Sequence, residues 1–585
     1  MKYKLNTSSQ SSSTGVFKTA MTRLVPLMIE EKGSAISALF AIIVTSLATL
    51  LAPVIIGHTI DTYIVRKDFH GVLLFSALLL GLYVVALYTS YYQTKTMGGV
   101  GRRVLFRLRN ALFNKLQSLP VAFFNENKAG DLISRINNDT DKLNQFFAQA
   151  LMQLFGNILM IVGAGVFLVV LQIRLGLASL IPAFAVLIIT QIISPWVKRK
   201  NFKSLQSIGG MSAEIQESLE NFKVIVSYNR VDYFRTKFNE VNQANYDASI
   251  GAGIANNIFI PLYGLAYNIA QIIVLAYGII LIHSGSVTLG LLIGFILYVN
   301  NFYTPLRQLA SVWSSLQQAL AGLDRISEVL ALESDMEIVP GEATPSDYLL
   351  EFKDVSFSYP NGHEVLHHIN LGFKPGNTYA LVGPTGGGKT TTASLMARLY
   401  DATSGSVLLS GKDIRSYTAE ERTKKIGFIL QEAFLFTGTV HENIIYGNTE
   451  LQDFSTEQLK KVIDNSGLEK LLARFDEGLE TKIAAGGNTM SLGQKQLIAF
   501  MRAVLRNPDL LILDEATANI DTVTEQLLEE ILAQLPAKTV KVIIAHRLNT
   551  IENADEIFFV NAGNVTPAGS LDHAVDMLLH GQRKS

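Results

Sequence analysis

The chain contains no cysteine in 585 residues, which excludes disulfides, thiolate metal sites and a cysteine nucleophile. It also lacks an excess of either charge. Its 49 Lys and Arg balance 50 Asp and Glu, leaving a net charge of −1, so no global field draws it to nucleic acid. No acid or base stands in the middle of any long apolar run, which removes the usual pointer to an ion path. No cleavable signal peptide is evident: residues 1–14 are polar and Ser-rich and are expected to be disordered. Apolar residues, by contrast, are abundant at 49%, with a mean hydropathy of +0.27. A chain of this length predicts a few domains.

The apolar excess lies almost entirely before residue 325. Ser34–Gly57, Gly71–Tyr92, Leu151–Leu171, Leu175–Val197, Ile258–Ile282 and Val287–Tyr303 each approach or exceed the ~20 residues that cross a bilayer. One such run could be a buried soluble helix; six in one half of the chain predict a helical membrane domain. Connections after the first, third and fifth runs are short, with Arg66, Lys67 and Arg174 as their basic residues. The long connections, 94–150 and 198–256, carry Arg102, Arg103, Arg107, Arg109, Lys115, Lys198, Arg199, Lys200, Lys203, Arg235 and Lys237. The positive-inside rule therefore places the long connections and both termini in the cytosol, with the chain multi-pass in the cytoplasmic membrane.

Apolar residues at Val104, Phe106, Leu108, Leu112 and Leu116 predict that the membrane helices continue into the cytosol. Phe123–Asp131, followed by Ser134, Arg135, Asn138 and Asp139, forms the tip of the first extension, and Glu214–Val226 that of the second. Both tips read either as contacts for a nucleotide domain or as solvated hairpins. Phe17, Met21, Leu24 and Met28 recur at helical spacing, as in an interfacial helix or an ordinary packed one. The expected divisions are a membrane domain over 15–325, a linker over 326–345 with Pro340, Gly341 and Pro345, and an α/β domain over 346–585.

Within that last domain, Gly383, Pro384, Thr385, Gly386, Gly387, Gly388, Lys389 and Thr390 fit G-x-x-x-x-G-K-[ST]. The loop lies between a strand-like run, Thr378–Val382, and a helix-like run from Thr391. Glycines let main-chain N–H groups surround a phosphate chain at a helix N-terminus, Lys389 reaches the terminal phosphates, and Thr390 ligates Mg²⁺. Hydrolysis further needs a metal carboxylate and a water-positioning group. Leu510–Leu513 forms a buried strand that delivers Asp514 for Mg²⁺ and Glu515 for water. Gln431 follows another strand-like run and can touch both metal and water. His546 follows Val542–Ala545 and can bond the γ-phosphate. Tyr359 offers a face for adenine.

Together these residues resemble the ATP-binding cassette (ABC) family, along nearly the whole chain. Tyr359 matches its aromatic loop, Gly383–Thr390 its Walker A motif, Gln431 its Q-loop and Leu510–Glu515 its Walker B motif. Ala518–Asp521 matches the D-loop and His546 the switch histidine. Six spans fused to such a cassette resemble an exporter half-transporter, with Phe123–Asp139 as its first coupling helix. The resemblance implies ATP and Mg²⁺ as ligands, Thr390, Gln431 and Asp514 at the metal, and catalytic roles for Glu515, His546 and Gln431. It further implies nucleotide contacts from Tyr359, Gly383–Thr391, Ser491, Gly493, Gln494 and Asp521.

The family signature is Leu-Ser-Gly-Gly-Gln, whereas this chain has Met490-Ser491-Leu492-Gly493-Gln494, and Ala484–Asn488 before it lacks the common glutamate. In the family this segment caps the partner cassette's nucleotide. A side chain at Leu492 is expected to restrict the backbone and crowd that approach. The chain then resembles the subunit of a bacterial heterodimeric multidrug exporter that keeps the catalytic glutamate. A partner half-transporter with an intact signature and no glutamate after its Walker B strand would complete the pair. A homodimeric exporter or flippase of lipid or peptide is the alternative, and an ATP-binding regulator or channel a further one. Phe259, Tyr263, Tyr267, Tyr277, Phe295, Tyr298, Phe302 and Tyr303, with Asn268, Gln271, Asn300 and Asn301, suit a wet aromatic cavity for hydrophobic or amphipathic molecules. Lipid-facing aromatics and helix packing account equally for several of them.

Overall fold

The computed structural model describes residues 3–5, 25–360, 362–487, 490–514, 522–544 and 552–580. They fall into two compact units. One comprises residues 6–115 and 132–330, the other 1–5, 116–131 and 331–585.

The first unit is helical. Six long apolar helical stretches run Ile29–Ile64, Phe69–Gln117, Ala129–Leu171, Ile173–Glu220, Val231–His283 and Leu289–Leu330. The second, fourth and fifth helices extend far beyond their apolar runs, as the spacing of Val104, Leu108 and Leu112 predicts, and all three of these side chains are buried. Leu50, Leu168, Ala266, Ala270 and Phe295 form the core between helices, with small residues admitting close approach. The second helix instead leaves Leu74, Leu80 and Leu87 about two-thirds or more exposed, a surface suited to lipid or another apolar face. At the far end, a π-turn over Arg135–Asp139 meets the sixth helix. Buried Arg135 pairs with Glu328 at 2.8 Å, and buried Asp139 accepts from Arg325 Nε at 2.7 Å. Each of these charges is neutralised by a neighbour, as burial demands.

Of the eight aromatic residues read as either cavity lining or helix packing, four pack between helices. Phe295, Tyr298 and Tyr303 are buried in the helix core; Tyr298 stacks on Phe167 at 5.1 Å and donates to Leu50 O, and Tyr303 donates to Ser179 O. Tyr263 is buried as well. Each hydroxyl finds a main-chain or side-chain partner inside the bundle, so these rings pack helices together.

The second unit holds a layered α/β cassette. β1 (Leu350–Ser358), β2 (Glu364–Phe373), β4 (Ser404–Leu409) and β5 (Lys412–Asp413) form an antiparallel sheet in the order β2-β1-β4-β5. The main sheet runs β12-β11-β3-β10-β9-β6, built from β3 (Thr378–Val382), β6 (Ile426–Ile429), β9 (Leu510–Asp514), β10 (Val540–Ile544), β11 (Glu556–Asn561) and β12 (Asn564–Pro567). A short pair, β7 (Gly438–Thr439) and β8 (Lys482–Ile483), lies apart. All five β9 residues are buried, as expected of a strand covered on both faces.

Three details depart from the expected divisions. The sixth helix runs to Leu330, and the irregular connection follows it. Residues 116–131, with the helix Val121–Glu126, belong to the cassette unit. Within the stretch expected to be disordered, Tyr3 and Leu5 are buried: Tyr3 O accepts from Asn127 Nδ2 at 2.8 Å, and Leu5 N donates to Asn127 Oδ1 at 3.1 Å. Of the residues read as an interfacial or packed helix, Phe17, Met21 and Leu24 lie outside the described residues.

Candidate nucleotide site and family

Parallel register brings the proposed chemistry to one sheet edge. Ile544 lies opposite both Leu381 and Asp514, and Ile429 opposite Leu513. The carboxyl ends of β3, β10, β9 and β6 therefore coincide, the edge where open α/β sheets bind ligands. From them issue the phosphate loop and Gln431, and β9 ends on Asp514. Glu515, Asp521 and His546 lie outside the described residues, as do Ala518–Ile520 and Asn488.

The phosphate loop is shaped by its glycines. Gly383 has φ +148°, and a Cβ there would meet Val560 O at 2.0 Å; at Gly387 the same carbonyl would lie 2.5 Å away. Gly563 N donates to Gly387 O at 3.1 Å, so the turn after β11 supports the loop from behind. Sequence reading missed Val560 and Gly563 because their role is a close main-chain approach with no chemical signature. Lys389 is buried and its Nζ donates to Gly383 O at 2.9 Å and Pro384 O at 3.1 Å, which curls the loop around the ammonium. The helix Lys389–Met396 follows directly, its first-turn N–H groups facing the loop. Thr390 is exposed at its start, whereas Asp514 is buried at the strand end. A hydroxyl and a carboxylate fit a hard divalent cation, with exposed Gln431 at the same edge.

Tyr359 lies beside this loop. Its hydroxyl is 3.0 Å from Thr391 Oγ1, and its ring meets Phe357 and Tyr400 edge-on at 4.9 and 5.3 Å. The ring thus borders the phosphate-loop helix.

The altered signature opens the helix Leu492–Val504. Ser491 Oγ accepts from Gln494 N at 3.2 Å, and Gln494 Oε1 accepts from Ser491 N at 3.0 Å, a reciprocal capping box. Gln494 also donates to Arg474 O at 3.3 Å. Leu492 is the first helical residue, in a conformation any L residue adopts, so it does not restrict the backbone as expected. What it adds is an isobutyl group, 44% exposed, at the helix N-terminus.

Residues 35–306 match the family described as ABC transporter transmembrane region, and residues 366–518 match that described as ABC transporter. The chain is 33% identical over 566 residues to the ABC transporter ATP-binding protein YfiC of Bacillus subtilis, covering 95% of this chain and 92% of that one. It is 32% identical to a fatty acid ABC transporter ATP-binding/permease protein of Mycobacterium bovis, covering 86% and 79% respectively. A multidrug resistance ABC transporter ATP-binding and permease protein of Lactococcus lactis is 31% identical, with 85% and 84% covered. With six membrane-competent helices and an ATPase cassette in one polypeptide, the chain belongs to the ABC transporters as an exporter half-transporter that hydrolyses ATP.

Proposed function

We propose that the chain exports hydrophobic or amphipathic small molecules across the cytoplasmic membrane, as one half of a heterodimer with one competent and one weak ATP site. The observation that carries the asymmetry is the exposed isobutyl group of Leu492 at a well-formed helix N-terminus. The capped helix keeps its N–H groups oriented toward a partner's nucleotide, but the side chain stands where a glycine would leave the approach open. The relatives named for multidrug resistance support the substrate breadth.

In the competent site, main-chain N–H groups of Gly386–Thr390 would receive the phosphates and Lys389 would turn from the loop carbonyls to the terminal ones. Thr390, Asp514 and Gln431 would hold Mg²⁺, which would supply charge neutralisation for the phosphates. Glu515 would orient the attacking water and His546 the γ-phosphate, while Tyr359 flanks the base. Ser491, Gly493, Gln494 and Asp521 would serve the dimer interface. ATP drives the cycle by binding the closed cassette pair more tightly than the open one.

Purifying the chain alone and together with a half-transporter carrying an intact signature tests this reading. Transport-coupled ATPase activity is expected only from the pair. A stable homodimer with full coupled activity would favour the homodimeric exporter instead.

A further inference from the structure

The membrane unit forms a half-open cavity of about 550 Å³ between its first, second, third and sixth helices. Its lining contains no charged and no aromatic side chain among the described residues. Thr49, Gln93, Gln149, Gln153, Asn157 and Gln308 supply hydroxyls and carboxamides, and Met152 and Met160 supply an adaptable apolar wall. Two of the polar groups point to an occupant. Gln93 Oε1 and Asn157 Nδ2 are buried without a hydrogen-bond partner, and Asn157 is only 7% exposed. A buried carboxamide left this way is costly and rare in a folded protein unless a ligand or water answers it. Pro305, also in the lining, adds to the polarity, because it has no N–H to offer the carbonyl one turn before it.

The depth of these groups is graded. Gln93, Gln149 and Gln308 stand at or just beyond the ends of the apolar runs, whereas Thr49, Asn157 and Met160 lie within them. A ligand with its polar head among the glutamines and its chain against the methionines would match this gradient. An ionised head would not, because the lining supplies no countercharge for it in a low-dielectric setting. We propose that this cavity is the export substrate's binding site and that it selects amphiphiles with an uncharged, hydroxyl- or amide-bearing head group. The site deepens the export reading and rests on it for its purpose.

The test uses the full chain in lipid nanodiscs, without nucleotide, and three fluorescent probes of equal chain length. These are 11-dansylaminoundecanoate, its glycerol monoester and its trimethylammonium counterpart. The glycerol ester should bind roughly tenfold more tightly than either ion, a difference that equilibrium titration resolves. Gln93→Leu with Asn157→Leu should erase that preference. Asn157→Asp, nearly isosteric, should turn the preference toward the cationic probe, and this gain keeps the proposal testable if the double variant does not fold. Equal or tighter binding of a charged probe by the native chain overturns the proposal, as does an unchanged preference in Asn157→Asp. ATP-driven uptake into inverted vesicles that carry the chain together with a half-transporter of intact signature separates the two readings. An ester that binds selectively without being transported supports the site and sinks export, whereas ATP-driven transport of a charged dye with no ester selectivity sinks the site and keeps export.

Discussion

Asn125 Nδ2 donates to the Tyr400 hydroxyl at 2.6 Å, joining the helix Val121–Glu126 to the body of the cassette. The contact continues inward. Tyr400 meets Tyr359 edge-on at 5.3 Å, and the Tyr359 hydroxyl lies 3.0 Å from Thr391 in the phosphate-loop helix. Burial raises the Tyr400 phenol pKa although Asn125 opposes it, so the hydroxyl stays protonated at any physiological pH. Tyr400→Phe keeps the ring contacts and removes only the link to Asn125. Nucleotide affinity should stay within about twofold, while substrate stimulation of ATP hydrolysis should fall roughly fivefold, as the loss of a hydrogen bond worth about 1 kcal/mol implies. Paired measurements of nucleotide binding and stimulated turnover check this, and unchanged stimulation removes the contact from coupling.

Tyr3 is the second fastening of the same helix. Its ring is 1% exposed, its hydroxyl accepts from Asp335 N at 3.0 Å, and its carbonyl is held by Asn127. Tyr3→Ala should loosen this corner by about 3 kcal/mol, the cost of deleting a buried aromatic ring. Hydrogen exchange in 121–126 should accelerate while exchange in β9 stays slow. Equal protection in variant and native protein would mean that Tyr3 merely covers the surface.

In the proposed heterodimer, Leu492 and Glu515 would divide the two ATP sites. In the purified pair, Glu515→Gln should lower turnover by roughly a hundredfold or more, because water positioning at the competent site is lost. Leu492→Gly should tighten nucleotide retention at the second site and leave total turnover within about twofold, because the partner brings no glutamate there, at a helix cost of about 1 kcal/mol. Steady-state ATPase and nucleotide-retention assays on both variants decide it; full activity in Glu515→Gln refutes the role given to that residue.

Asp413 sets an acid limit on the cassette. Burial opposes its ionisation, but hydrogen bonds from Arg415, including Nη2 to Oδ2 at 2.8 Å, outweigh it and hold the carboxyl below its ordinary value. A depressed folded-state pKa stabilises fully above the unfolded value near 3.9, and that contribution is lost as pH falls through the folded value. Asp413→Asn should therefore lower the thermal unfolding temperature at neutral pH and flatten its decline below about pH 4. Parallel slopes for variant and native protein in that range would contradict the assignment.

Much of the machinery was legible because it is local. The phosphate loop declares itself through glycine spacing and the strand before it, and six apolar runs need only length and composition to be read. Aromatic residues were harder to read. Tyr298 and Tyr303 have the composition of a binding surface, yet they pack inside the bundle because neighbouring helices offer Leu50 O and Ser179 O to their hydroxyls. At Leu492 the residue type was legible but its backbone state was not, since a helix start tolerates leucine where a tight turn would not.

By itself, then, the sequence determined the two halves of the chain, the nucleotide chemistry and the altered signature, all of which follow from residue type and short-range spacing. Tertiary structure alone decided that Tyr3 is buried beside Asn127, that Val560 O forces Gly383 and Gly387, and that Gln93 and Asn157 face one charge-free cavity. Those facts depend on which distant segments meet, and burial and hydrogen-bond satisfaction are set only where they do.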